Sequence, residues 1–88
     1  MMLNYKQILE YAVKGITAEI DDLEKTVRKG YDLVRQIDNG EKAKTTISRY
    51  EILEICREKN AKIERLDKER FELRWEISEL NEESKAKK

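Results

Sequence analysis

The sequence contains no proline and no histidine, a single cysteine, three glycines, and only one tryptophan and one phenylalanine. Each scarcity excludes something. Without proline no helix is forced to kink, and without histidine the commonest zinc ligand and the usual side-chain general base are missing. One cysteine, Cys56, permits no intramolecular disulfide, which argues against a stapled secreted scaffold and for a reducing, cytoplasmic setting. Long apolar runs are lacking too. Lys6, Glu10 and Lys14 interrupt the mildly apolar start MMLNYKQILEYAVKG before a signal-peptide core or a membrane span can form, so no membrane association is expected.

Charge is abundant instead. Charged residues make up 43% of the 88 positions against 39% apolar ones, the profile of long, surface-rich helices in a single small domain. Nineteen basic and nineteen acidic side chains cancel, so the total charge provides no general attraction to nucleic acid or to a membrane surface.

The apolar residues follow a helical period. Leu9, Val13, Ile16, Ile20, Leu23, Val27, Gly30, Val34 and Ile37 alternate steps of four and three, a heptad seam sustained for about four heptads. Asn4 and Gln7 can form a capping box at its start, and Asn39-Gly40 supplies a left-handed stop, so a helix is predicted over 5–38. A turn is predicted over 39–47. Ser48 and Glu51 then form a second capping box, flanked by Ile47 and Ile52 in the positions of a hydrophobic staple. The second seam reads Ile52, Cys56, Lys59, Ile63, Leu66, Arg70, Leu73, Ile77 and Leu80. It predicts a helix over 48–82, followed by a disordered basic tail over 83–88.

The polar connection NGEKAKTT is too short to let two such helices separate, which predicts an all-α fold: a long antiparallel two-helix hairpin, or coiled coil. A register that brings Leu9 near Ile77 also brings Ile20 near Leu66 and Val34 near Ile52. One narrow stripe per helix seldom outweighs the entropy of ordering a chain this size, so self-association is expected, as a four-helix-bundle homodimer. Tyr31, Leu33, Leu53 and Ile55 broaden the stripes near the turn, while Tyr5, Ile8 and Ala12 broaden the first helix at the open end.

The stretch RFELRW holds the only Phe and the only Trp, Phe71 and Trp75, one helical turn apart and each preceded by an arginine, Arg70 and Arg74. On the heptad assignment both rings point away from the seam. They are covered by Met1–Leu3 or a second copy of the chain, or they form a partner-binding surface, because Trp and Arg are enriched at binding hot spots, or they stack on bases with Arg70 and Arg74 against phosphate. With Tyr5 and Ile8, these residues are the candidate site for a protein partner. An alternative is RNA binding through the basic outer-face cluster Lys25, Arg28 and Lys29.

Chemistry has little to start from. Cys56 falls in the seam, where a thiol acts as a small hydrophobe, and no imidazole is present to activate it. Asp21, Asp22 and Glu24 diverge around a helix and do not make a cation loop. No enzymatic activity, cofactor, metal or small-molecule substrate is expected. Lys59 and Arg70 interrupt the second seam and need water or a carboxylate, with Glu19 a candidate partner. Gly30, at a seam position of the first helix, suggests close helix approach or local bending.

Overall fold

A computed structural model describes residues 4–41 and 47–86, with side chains to Glu82. Two helices, α1 (Tyr5–Asp38) and α2 (Arg49–Ala86), pack against each other as an antiparallel hairpin. Met1–Leu3, considered above as a cover for the aromatic pair, lies outside the described residues.

The helix ends form for the reasons visible in the sequence. Asn4 caps α1 through a capping box: Gln7 N–H donates to Asn4 Oδ1 at 2.8 Å, and Asn4 N–H donates to Gln7 Oε1 at 3.1 Å. At the other end Gly40 takes a φ of 76°, Gly40 N–H donates to the Ile37 carbonyl and Glu41 N–H to the Gln36 carbonyl. This is a Schellman stop, which satisfies carbonyls the helix leaves open. Ser48 caps α2, accepting the Glu51 N–H on its hydroxyl at 3.2 Å. The expected end of α2 near Glu82 is corrected: the helix continues to Ala86. No proline or glycine stands in NEESKAKK, and Glu, Lys and Ala are strong helix formers, so fading of the apolar seam does not end the helix.

Every seam position of α1 from Leu9 to Ile37, and of α2 from Ile52 to Leu80, is buried or half-buried. The tightest part lies in the turn half, where Val27, Val34, Ile52 and Cys56 form a core joined by Leu33, Ile37, Leu53 and Ile63. Gly30 explains the close approach there. A β-carbon on it would stand 2.5 Å from the Cys56 sulfur and 3.4 Å from the Ile52 Cγ2.

Polar contacts bracket the seam on both sides. Tyr5 Oη donates to Glu76 Oε1 at 2.5 Å, and Lys62 pairs with Glu19 at 3.1 Å, on one side. On the other, Asn60 donates to the Tyr31 hydroxyl, and the half-buried Arg70 donates to the Thr17 hydroxyl and to Asp67. Glu19 therefore meets Lys62 rather than Lys59, because Lys59 follows the seam inward while Lys62 lies on the flank that Glu19 faces. At the turn, Arg49 at the start of α2 donates to both carboxylate oxygens of Asp38, the last residue of α1, at 2.7 and 3.4 Å.

The resulting rod measures 66 × 24 × 15 Å, with a radius of gyration of 19.3 Å. A compact chain of this length would have a radius of gyration of about 12 Å. The rod exposes 7388 Å², against about 5,400 Å² for a compact monomer of its mass. Among the described residues, no helix is long and apolar enough to cross a membrane.

Candidate interaction surfaces

Large apolar side chains remain outside at both ends of the rod. Phe71 is 69% exposed and Trp75 61%, the two standing one turn apart on the outer flank of α2. Together with Glu72 they line a shallow concavity. The Trp75 indole N–H donates to Glu79 Oε1 at 2.9 Å, so its polar atom is satisfied within the helix while the ring face stays open. Arg74 is exposed beside the pair.

The residues grouped with this pair from the sequence separate in space. Arg70 points into the seam, where its side chain keeps 20% of its exposure and is held by Thr17 and Asp67. The arginine before Phe71 is thus a seam residue. Tyr5 and Ile8 are exposed, but no residue of α1 is among the described residues lining the concavity of Phe71 and Trp75. Tyr5 reaches α2 through Glu76, which lies on the flank of α2 opposite Phe71. That hydrogen bond, together with loss of hydration and the charge of Glu76, raises the Tyr5 pKa above its ordinary value. The hydrogen bond to Asp38, reinforced by its charge, likewise raises that of Arg49.

A second surface lies in the turn half, where the apolar stripes broaden beside the seam. Thr26, Lys29, Gly30 and Leu33 of α1 and Ile47, Ile52, Ile55 and Cys56 on the α2 side line one apolar groove of about 220 Å³. The broadened stripe around Leu33 and Ile55 was the available signal. The groove also depends on Gly30, which brings no side chain to its lining, and on Ile47 before α2. Lys29 is the one charged side chain among the described residues lining it, and it belongs to the exposed cluster Lys25, Arg28 and Lys29.

Cys56 sits beneath this groove, 2% exposed, with its sulfur 3.7 Å from the Val27 carbonyl. Among the described residues no group of three or more Cys, Asp or Glu side chains is arranged to hold a metal ion. No protein-family model matches the chain, and neither a curated protein nor a solved structure matches it.

Proposed function

We propose that this protein is a non-enzymatic interaction module: a self-associating helical hairpin that presents Phe71 and Trp75, flanked by Arg74, to a partner protein. The observation that carries this reading is the exposure of the two largest apolar side chains, 69% and 61%, on the outer flank of α2. Exposed apolar residues scattered singly are ordinary, whereas an aromatic pair on one face is a surface that water solvates poorly and a partner can desolvate. Trp and Arg are the side chains most often found to dominate binding energy. The rigid helix supports the rings, so little conformational freedom is lost on docking. Self-association is supported by the rod's surface, about 2,000 Å² above that of a compact monomer.

The test is capture of cellular proteins on the purified hairpin and on a Phe71→Ala, Trp75→Ala variant. The variant is expected to keep its helicity and its solution mass while losing the captured partner. Retention of the same partners by the variant contradicts the reading.

A further inference from the structure

We infer that the occupant of the turn-half groove is a second copy of this chain, packed face to face in a parallel two-fold dimer with both turns at one end. This inference rests on the self-association proposed above and specifies its surface, its geometry and its charge pairing.

The groove is the place where apolar surface from both helices lies open together. Ile47 and Ile55 remain 40% and 39% exposed on its walls, over a floor of Ile52 and Cys56. A rod exposing about 2,000 Å² more than a compact monomer of its mass has ample surface for one standard interface, which covers about 800 Å² on each partner.

Charge selects the partner and its orientation. Gly30 lies directly against Cys56. Lys29 and Glu58 therefore stand at about the same height on the rod, at the two outer edges of the groove face. Along this stretch the α1 edge carries Lys25, Lys29 and Asp32, the last already paired with Arg35, and the α2 edge carries Glu51 and Glu58, all exposed. Glu54 and Lys62 are already paired, with Arg57 and Glu19 respectively, whereas Lys29 and Glu58 join no ion pair among the described residues.

A two-fold axis along the rod preserves height and exchanges the edges. It lays α1 of one copy over α2 of the other, so each Lys29 meets Glu58 of the second copy. An axis across the rod would instead lay α1 over α1 and place Lys29 near Lys29. For an axis through the groove, the parallel arrangement is the one that brings Lys29 and Glu58 of the two copies together. Phe71 and Trp75, on the flank of α2 opposite Ile55, stay uncovered in both copies.

The test measures solution mass over a concentration series for the full chain and for Ile55→Glu, Lys29→Glu and Glu58→Lys, with circular dichroism confirming helicity. Each substitution is expected to weaken the dimer by about tenfold or more. The two charge variants also serve if Ile55→Glu fails to fold, since both lie on exposed edges. Mixing Lys29→Glu with Glu58→Lys is expected to restore association, because the mixed dimer regains opposite charges at both edges. A dimer indifferent to all three substitutions, or one not restored by mixing, overturns the groove assignment while leaving self-association standing. A chain that stays monomeric at every concentration overturns both.

Discussion

A β-carbon on Gly30 would stand 2.5 Å from the sulfur of Cys56, closer than a methyl group and a sulfur can approach. The sulfur has little room to retreat, being 2% exposed and set against the Val27 carbonyl. Gly30→Ala should therefore destabilise the hairpin by about 1–3 kcal/mol, although alanine is the better helix former. Adding Cys56→Ala removes the clash. Thermal unfolding of the single and double variants at one fixed concentration should show a coupling of at least about 1 kcal/mol in the rescuing direction. Additive losses would mean that the backbones can part without cost.

Gly15 provides the opposite case in the same helix. Nothing lies within 4 Å of the position its β-carbon would take, so alanine gains helix propensity with no clash. Gly15→Ala should stabilise by about 0.5–1 kcal/mol, seen as a thermal midpoint raised by several degrees. A lowered midpoint would show that this face is occupied in the assembled protein.

Tyr5 and Glu76 join the open end of the rod through a hydrogen bond that needs the phenol proton. The folded-state pKa of Tyr5 is raised, so the contribution is fully present below the unfolded value of about 10 and is lost as pH rises through the raised value. Wild type should exceed Tyr5→Phe in thermal midpoint at neutral pH, and the gap should close or reverse at strongly alkaline pH. A gap independent of pH would contradict the bond.

Asp38 and Arg49 are each placed against the local helix dipole, an acid at the C-terminal end of α1 and a base at the N-terminal end of α2. Their mutual pairing offsets this. Exchanging them, Asp38→Arg with Arg49→Asp, keeps the pair and corrects both ends. A small rise in thermal midpoint is expected, while either single substitution should lower it.

The hairpin and its caps were legible because they depend on spacing alone: a seam of fours and threes, Asn4 with Gln7, Ser48 before Glu51, and Asn39-Gly40 after Ile37. The same periodicity reports which residues face the seam, not which flank partner a long polar side chain reaches. Hence spacing alone offers Glu19 to Lys59 or Arg70, whereas Lys62 shares its flank, and it sets Arg70 beside Phe71 although Arg70 turns inward to Thr17. The groove at Leu33, Ile47 and Ile55 depends on how closely the helices approach across Gly30, a property of two segments together. The end of α2 is not read from the seam, because fading of the apolar seam marks the limit of packing, whereas helix propensity persists through the charged residues to Ala86.

The most direct measurement is solution mass by light scattering across a dilution series, read together with the fluorescence emission of Trp75, the only tryptophan. A mass that doubles with concentration while the emission stays at the red position of a water-exposed indole is the predicted result. It would mean that two copies meet on a face other than that of Phe71 and Trp75, leaving the aromatic pair for a partner. A blue shift that tracks the rise in mass would contradict it, by placing Phe71 and Trp75 inside the self-association interface.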